Sequence, residues 1–480
     1  MIKKGLFWDF IGKLFNQGIT IVVSIFLARL LLPEDFALIA IVLAIIGIAS
    51  VFIDFGLTQA LIQKQNVRNI HYNSIFWINI SLAVILTILC FLSAPLISNF
   101  YKLPELINLI RVVSFAFILN ALGGVHSAML VKKMAFIHLS KINIISSFIS
   151  GVIGVSFAFL DYGVWSLVMQ YYSAAIIRQI LLWNQTKWLP KFQFSWVVIR
   201  PLWHFSKNLF ISSILNDIFI RIDIFIIGKL FPPASLGFYS RGKSLNQLIS
   251  TYSSSSLTTV LFPALSKIQD NLEMVKNKVI DFFQLAALIS FFLGGLLYIT
   301  AQDIIVLMFT DKWMETVPYF QIMVLTTFAH PLSAIILTPL TSLGRTDVFL
   351  KLEIMKKILF TFTYVFGFSY GIKGFLYAML FSQIIGVSLN GYYSGKIINW
   401  GLKEQWFIMF TNALISVVGA GFLFFFLSND MINNHVLHLI LCTFSYTFYY
   451  IFVNYVFKTK SFQLINRIFM PKILQILKKK

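Results

Sequence analysis

Charged residues are scarce in this sequence. Asp, Glu, Lys and Arg make up 12% of its 480 residues, whereas a soluble domain contains about a quarter. There are only two cysteines, Cys90 and Cys442, and both lie in apolar runs, which argues against a disulfide framework and against a cysteine-based metal site. No H-E-x-x-H, G-x-S-x-G or glycosyltransferase-like acidic motif occurs in a loop, which argues against an enzyme and predicts no cofactor.

Hydrophobic residues fill most of the chain instead, at 58%, and the mean hydropathy is +0.84. At about 20 residues per membrane span, the length leaves room for about fourteen helices and for no sizeable soluble domain. The chain has 38 Lys and Arg against 18 Asp and Glu. Nucleic-acid-binding proteins also have such an excess, but here the basic residues are concentrated in alternate loops between the predicted spans. We therefore predict an all-α polytopic membrane protein that binds no nucleic acid.

Apolar segments bounded by polar turns give the predicted spans. They fall at residues 10–31, 37–62, 74–99, 106–130, 139–160, 162–184, 206–230, 236–264, 279–301, 316–342, 347–370, 373–397, 405–427 and 435–457. Alternate loops differ in charge: one set holds most of the Lys and Arg, and the other set, such as PEDF at 33–36 and DYG at 161–163, holds few. Because Lys and Arg stay on the cytoplasmic side, both termini are expected in the cytoplasm, with an even number of spans between them.

The chain also repeats itself at an offset of roughly 200 residues. ARLLLPEDFAL at 28–38 aligns with GKLFPPASLGF at 228–238, and DYGVWSL at 161–167 aligns with SYGIKGFL at 369–376. Such ordered matches predict two pseudo-symmetric six-helix lobes, and sites tend to lie between lobes of this kind. The predicted domains are an N-lobe at 1–184, an interfacial linker at 185–205, a C-lobe at 206–397, two further helices at 398–457 and a basic cytoplasmic tail at 458–480.

Three ionisable residues, Asp217, Arg221 and Asp223, lie inside the predicted seventh span. Each costs roughly 2.5 to 3.5 kcal/mol near the bilayer centre, so three together require a bundle interior or a wet cavity. Asp217 and Arg221 are four residues apart and share a helix face, where each can offset the other's charge. We interpret this helix as the lining of a hydrophilic passage, with a structural ion pair as the alternative.

Polar positions at helical spacing extend this passage. In the first span Lys13 begins such a face, and in the second span Asp54 lies on one with Ser50 and Thr58. We expect Asp54 to face the cavity, with a buried carboxylate bonded to Thr58 or to another helix as the alternative. Arg241 and Lys243 lie at the predicted outer mouth, where snorkelling to the interface is the alternative. Residues 237–244 spell the Walker A pattern, but a membrane helix precedes them, so nucleotide binding is rejected.

Several motifs resemble one known family. LARLLLPEDFALIA, FIDFGLTQALIQKQ, YGVWSLVMQ, IDIFIIGKLFPPASLGFYSRGKSL, LFPALSKIQD, DKWMETVPYFQIMVL and GRTDVFLKLEIMKK are similar to segments of the polysaccharide exporters of the Wzx-like, colanic-acid type. That family belongs to the flippase superfamily that also contains MATE exporters and the lipid II flippase. The resemblance implies fourteen helices, a cavity that opens alternately to the two membrane faces, and outward movement of an isoprenoid-pyrophosphate-linked oligosaccharide across the bacterial inner membrane.

The charges inside the predicted spans, rather than the resemblance, indicate the residues expected to bind such a substrate. Arg221, with Lys13 and with Arg241 or Lys243, would pair with the pyrophosphate, and Asp54 and Asp217 would carry a coupling proton or cation or bind sugar hydroxyls. Asp223 is a further expected substrate-binding residue. Membrane lipids and a polysaccharide polymerase are further expected partners. Two alternatives stay open: a MATE-like cation-coupled drug antiporter and, in a different class, a membrane-embedded glycosyltransferase.

Overall fold

The computed structural model describes residues 2–427 and 434–464, apart from the side chains of residues 2–10, 205, 208, 209, 250–260 and 346. Regular structure in these ranges is entirely helical. Of the predicted basic tail at 458–480, residues 465–480 lie outside the described residues.

The helices follow one another with short connections. They are α1 (Ile2–Leu30), α2 (Pro33–Asp54), α3 (Leu57–Gln63), α4 (Asn69–Tyr101), α5 (Leu106–Ser114), α6 (Ala116–Lys132), α7 (Phe136–Phe159), α8 (Val164–Thr186), α9 (Trp196–Leu230), α10 (Pro233–Ser266), α11 (Leu272–Ile299), α12 (Ala301–Phe309), α13 (Thr316–Val324), α14 (Ala329–Ser342), α15 (Thr346–Gly367), α16 (Gly371–Ile398), α17 (Leu402–Phe426) and α18 (His435–Val456). Two 3₁₀ turns, Asp311–Trp313 and Phe368–Tyr370, complete the described elements.

Ten segments of the described residues are long and apolar enough to cross a membrane. One of them, Asp347–Ile398, contains both α15 and α16 and has 52 residues, enough for two crossings. Helices α8, α9 and α10 have 23, 35 and 34 residues and are also long enough to cross, although they are not among the ten. The predicted all-α polytopic class is confirmed, and the count of fourteen stays a prediction.

The predicted second span is a broken helix. Between α2 and α3, both Phe55 and Gly56 have positive φ, at 46° and 73°. The Phe55 ring lies edge-on to Phe210 and Trp203 of α9, at 4.5 and 5.4 Å between ring centres. The ring contacts hold a residue in a backbone region that only glycine adopts without cost. The sequence FIDFGLTQALIQKQ is therefore a helix, a turn and a second short helix.

The chain divides into two compact units, residues 1–240 and 241–480. In the first unit, Leu61 of α3, Ile75 of α4 and Val125 of α6 are fully buried in one apolar cluster. This unit also holds the linker: Trp77 of α4 stacks on Phe192 at 4.6 Å and donates a hydrogen bond to the Lys191 carbonyl at 2.9 Å. These contacts fix the polar segment between α8 and α9 against α4.

The second unit has its own apolar core. Val279 and Phe283 of α11 and Leu332 and Ile335 of α14 are fully buried there. One element was not predicted: the short helix α12, which follows α11 after Thr300 and ends at Phe309. Helix α12 contacts α18, a helix that follows much later in the sequence. Side chains of α12 can therefore bond to residues that are distant along the chain.

Candidate functional site

Arg221 of α9 lies against α2. Its Nη1 donates to the carbonyl oxygen of Leu43 at 3.4 Å, and its guanidinium covers Gly47. A Cβ atom at position 47 would lie 2.2 Å from the Arg221 Cζ atom, so the guanidinium occupies space that only glycine leaves open. The buried Nε–H of Arg221 has no hydrogen-bond partner among the described residues. An unsatisfied buried donor of this kind costs about 1 to 3 kcal/mol.

Two polar residues join Arg221 in the first unit. Tyr171 of α8 lies near the Arg221 guanidinium and near the side chain of Asn120 in α6. All three residues are half-buried. We call Asn120, Tyr171 and Arg221 the arginine cluster. It combines a cation, a hydroxyl and an amide, the groups that bind phosphate and sugar oxygens.

Asp217 lies one helical turn before Arg221 and is also half-buried. The sequence places the two on one face of α9. Within the described part of the chain, no ion pair joins them, because the arginine side chain turns to the carbonyl of Leu43 instead. The charge of Arg221 is therefore available to a group other than Asp217.

Asp223 has partners inside the protein. It is 4% exposed, and the hydroxyl of Tyr239 in α10 donates a hydrogen bond to its Oδ2. The backbone N–H of Ile224 donates to Oδ1 at 2.9 Å. This carboxylate therefore ties α9 to α10.

The carboxylate of Asp54 caps a helix. Its Oδ1 accepts hydrogen bonds from the Thr58 backbone N–H at 3.0 Å, from the Thr58 hydroxyl, and from the Asn79 amide of α4 at 3.3 Å. Thr58 belongs to the first turn of α3, whose N–H groups have no partners within the helix. The structure shows the bonded arrangement that the sequence left as one of two alternatives, and Asp54 is half-buried.

The remaining predicted cations lie elsewhere. Lys13 of α1 is exposed, and Lys243 of α10 is half-buried. The Arg241 guanidinium of α10 lies 5.8 Å from the ring centre of Phe309 and 5.9 Å from that of Trp313, within the range of a cation–π contact. Both Arg241 and Lys243 belong to the second unit. The structure thus does not bring all seven predicted residues together within one unit.

Two grooves of the described residues are apolar. One, of about 730 Å³, lies between α1 and α7 and is lined by Gly18, Val22 and Phe148, among others. The other, of about 430 Å³, lies in the second unit and is lined by Phe291, Gly294 and Phe424, among others. Neither is lined by any of the predicted charged residues.

Sequence reasoning missed one ionisable cluster in the second unit. Asp303 of α12 contacts His435 and His438 of α18. The two histidines are three residues apart and share a helix face, which was a signal, but their acidic partner lies far away in sequence. Within the described residues, no group of three or more His, Cys, Asp or Glu side chains could hold a metal ion.

Comparisons with known proteins give relatives of one kind. The chain is 24% identical to the lipopolysaccharide biosynthesis protein WzxC of Escherichia coli (strain K12) over 403 residues, which cover 81% of this chain and 79% of WzxC. It is 25% identical to the succinoglycan biosynthesis transport protein ExoT of Rhizobium meliloti (strain 1021), with 68% of this chain and 66% of ExoT covered. These names agree with the Wzx-like resemblance of the sequence motifs.

Solved structures share the fold. A structure of the lipid II flippase MurJ in an inward closed conformation matches with a TM-score of 0.75 and 14% identity, covering 94% of this chain and 99% of the MurJ chain. An inward-facing MATE family multidrug transporter matches with a TM-score of 0.62 and 13% identity, covering 81% of this chain and 96% of its own. The family described as "Polysaccharide biosynthesis protein" matches residues 26–318, more than half of the sequence. The chain therefore belongs to the polysaccharide biosynthesis protein family and has the all-helical fold of the flippases and MATE transporters.

Proposed function

We propose that this protein moves an isoprenoid-pyrophosphate-linked oligosaccharide from the cytoplasmic to the outer leaflet of the bacterial inner membrane. The relatives are named for lipopolysaccharide and succinoglycan biosynthesis, and the fold is that of a lipid II flippase. Both termini lie in the cytoplasm in this proposal, as the distribution of Lys and Arg predicts. The sugar moves with its lipid, no bond is made or broken, and the protein acts as a transporter rather than an enzyme.

The observation that carries the proposal is the guanidinium of Arg221. It lies among membrane helices with a buried Nε–H that has no partner among the described residues. A pyrophosphate oxygen would accept from this donor, and the charge-assisted bond would offset the cost of burying a cation. Tyr171 and Asn120 lie beside it and supply neutral donors and acceptors for the first sugar.

The other predicted residues receive different roles according to their contacts in the structure. Lys13, Arg241 and Lys243 remain further positive charges for the pyrophosphate at other stages of movement, and Asp217 remains the carboxylate for a coupling proton or cation or for a sugar hydroxyl. Asp54 and Asp223 already accept hydrogen bonds within the protein, which favours a structural role for both. The remaining expected partners of this transport are membrane lipids and the polymerase that uses the exported unit.

Movement follows from alternating access. When the cavity faces the cytoplasm, Arg221 and its neighbours bind the pyrophosphate and the first sugar while the isoprenoid tail stays in the bilayer. When the cavity opens outward, the head group is released to the other leaflet. A protein cavity must supply polar contacts throughout this movement, because transfer of a charged pyrophosphate from water into hydrocarbon costs many kcal/mol of free energy.

The test compares Arg221→Ala and Arg221→Lys in a strain that lacks the native protein. Surface polysaccharide measures export, and lipid-linked oligosaccharide on the cytoplasmic face measures the block. We expect Arg221→Ala to reduce export by about tenfold or more, since a hydrogen bond to a charged group contributes about 1.5 to 3 kcal/mol. Arg221→Lys keeps the positive charge but loses the planar guanidinium with its several N–H donors, so export should be intermediate.

A matched control is Arg345→Ala, because Arg345 is exposed and pairs only with the exposed Asp347 at 3.3 Å in the described structure. It should export normally. Normal export by Arg221→Ala at normal protein level would remove Arg221 from the site. If deletion changed drug susceptibility and left lipid-linked oligosaccharide unchanged, the MATE-like alternative would replace this proposal.

A further inference from the structure

A second arginine lies inside the helices of the first unit and is not part of the arginine cluster. Arg178 of α8 lies eight residues before the end of that helix at Thr186, which is about 12 Å along the helix axis. Its side chain is half-buried. The sequences of α6, α7 and α8 contain no Asp or Glu, so these three helices offer Arg178 no carboxylate partner.

The hydrogen-bond partners of Arg178 in the described part of the chain are neutral. Its Nε donates to Oδ1 of Asn143 in α7 at 3.4 Å, and its Nη2 donates to Oγ of Ser127 in α6 at 3.3 Å. Both distances exceed the roughly 2.7 to 3.2 Å of a typical N–H···O hydrogen bond. Because a guanidinium has five N–H donors, three of them have no partner among the described residues. The cation can therefore bind an anion without losing an ion pair.

Arg178 and Ser127 lie on the same helix faces as the arginine cluster. Tyr171 and Arg178 of α8 are seven residues apart, and so are Asn120 and Ser127 of α6. Seven residues make two helical turns, so the members of each pair share a face and lie about 10 Å apart along the axis. We call Ser127, Asn143 and Arg178 the second arginine cluster. It has the same chemical groups as the first: a cation, a hydroxyl and an amide.

The interval between the two clusters is lined by small residues and polar atoms. On the shared faces it contains Ala174 of α8 and Gly124 of α6, both half-buried. A Cβ atom at Gly124 would lie 3.6 Å from Nδ2 of Asn79 and 3.9 Å from Oγ1 of Thr58. These amide and hydroxyl groups belong to the cap around Asp54. A charged group between the clusters would thus meet polar partners rather than hydrocarbon alone, which lowers the cost of its transfer.

We propose that the second arginine cluster is the entry site of the transported lipid, which binds the pyrophosphate before Arg221 does. Helix α8 ends at the basic segment with Lys187 and Lys191, which the charge pattern predicts in the cytoplasm. Arg178 lies nearer to that end of α8 than Tyr171, the neighbour of Arg221. Movement then exchanges one set of charge-assisted hydrogen bonds for another. This inference rests on the proposed function and adds a site to it.

A cysteine between the two clusters can report whether the passage is occupied. The experiment uses the purified full chain in detergent with Cys90→Ser, Cys442→Ser and Ala174→Cys, and a small water-soluble methanethiosulfonate as the thiol reagent. The probe is farnesyl pyrophosphate, a short isoprenoid pyrophosphate. Farnesol, inorganic pyrophosphate and phosphatidylglycerol are tested at the same concentrations to separate the contributions of the chain, the free anion and an ordinary lipid phosphate.

We expect farnesyl pyrophosphate to slow labelling at position 174 by at least about threefold at saturation, with weaker protection by the three comparison compounds. Arg178→Gln should raise the concentration for half-protection about tenfold, because hydrogen bonds to a charged group are lost. Arg221→Ala should raise it less, since the entry site stays intact. Arg178→Gln also removes a cation without an acidic partner, so it should not lower the thermal midpoint of the protein, as loss of a structural ion pair would.

The matched control is Arg200→Gln, which removes an exposed arginine of the same unit and should leave half-protection unchanged. If Arg178→Gln left half-protection unchanged while Arg221→Ala abolished protection, the entry site would be wrong and the proposed function would stand. Equal protection by phosphatidylglycerol would also overturn the inference, because the site would then bind any lipid phosphate. Absence of protection, together with unchanged lipid-linked oligosaccharide in a deletion strain, would contradict the proposed function itself.

Discussion

At the scale of single residues, the partner of Arg221 shows what spacing along a helix can and cannot predict. The sequence predicted an intramembrane charge at Arg221, and in the structure this side chain is half-buried with a buried Nε–H. The spacing pointed to Asp217, but the guanidinium donates to Leu43 and covers Gly47 of α2. That contact requires a residue without a side chain at position 47 of α2, which is far from Arg221 in sequence. The spacing of residues along α9 gives no information about it.

The first prediction concerns Gly47. Gly47→Ala places a Cβ atom 2.2 Å from the Arg221 Cζ atom and must displace the guanidinium. We expect export to fall nearly as far as in Arg221→Ala while the membrane level of the protein stays within about twofold, because a flexible side chain can move aside. Gly18→Ala is the matched control, since a Cβ at position 18 has no neighbour within 4 Å. Full export by Gly47→Ala would show that the position of Arg221 does not matter.

The second prediction separates the two roles of Asp54. If its carboxylate acts as a helix cap, Asp54→Asn keeps an acceptor oxygen for Thr58 and should export normally. Asp54→Ala loses the acceptor and should lower the unfolding free energy by about 1 kcal/mol, the usual cost of a lost cap. Thermal unfolding of the purified protein and polysaccharide export measure the two effects. Loss of export in a stable Asp54→Asn protein would instead indicate a titrating carboxylate.

At the scale of elements, the sequence predicted helix positions better than helix breaks. The predicted segments at 316–342 and 435–457 agree with α13 to α14 and with α18 to within one residue at each end. The break at Phe55 and Gly56 was not predicted, because hydropathy does not change there. Helix α12 was missed because its nine residues are too short for a membrane span.

The repeated turns predicted from ARLLLPEDFAL and GKLFPPASLGF meet in the first unit. Gly237 of α10 lies against the backbone of Pro33 at the start of α2. Asp223 and Tyr239 then hold α9 to α10 beside this contact. Part of the motif IDIFIIGKLFPPASLGFYSRGKSL at 222–245 is thus explained by packing, which is why its resemblance specifies the fold rather than the sugar.

The third prediction tests this packing. Gly237→Ala would place a Cβ atom 2.0 Å from the Pro33 carbonyl oxygen, and backbone cannot move aside as a side chain can. We expect a loss of about 1 to 3 kcal/mol of stability, seen as a lower thermal midpoint and less protein in the membrane. Gly421→Ala is the control, because a Cβ there also has no neighbour within 4 Å. Wild-type stability of Gly237→Ala would contradict the close approach.

At the scale of the whole molecule, composition alone predicted a polytopic helical membrane protein, and the structure and comparisons confirm that class. The polysaccharide family predicted from the motifs is confirmed as well. The cluster of Asp303, His435 and His438 could not be predicted, because its two helices lie more than 100 residues apart in sequence. The division into lobes and the position of both termini stay predictions.

The fourth prediction concerns membrane topology. Alkaline phosphatase fused after Lys480 should be inactive, and a fluorescent protein fused there should fluoresce, because the Lys and Arg of the tail predict that it stays in the cytoplasm. Truncated fusions after Asn434 should give the reverse result, since the loop before α18 is predicted on the outer side. Equal reporter activity at the two positions, or a reversed pattern, would contradict the predicted orientation.

The approach of Gly237 to Pro33 carries a constraint on how this chain can evolve. A larger residue at 237 fits only if the backbone at 33 retreats, so neither position is free to drift alone. Related sequences that replace the glycine should therefore carry a compensating change around residues 32–35.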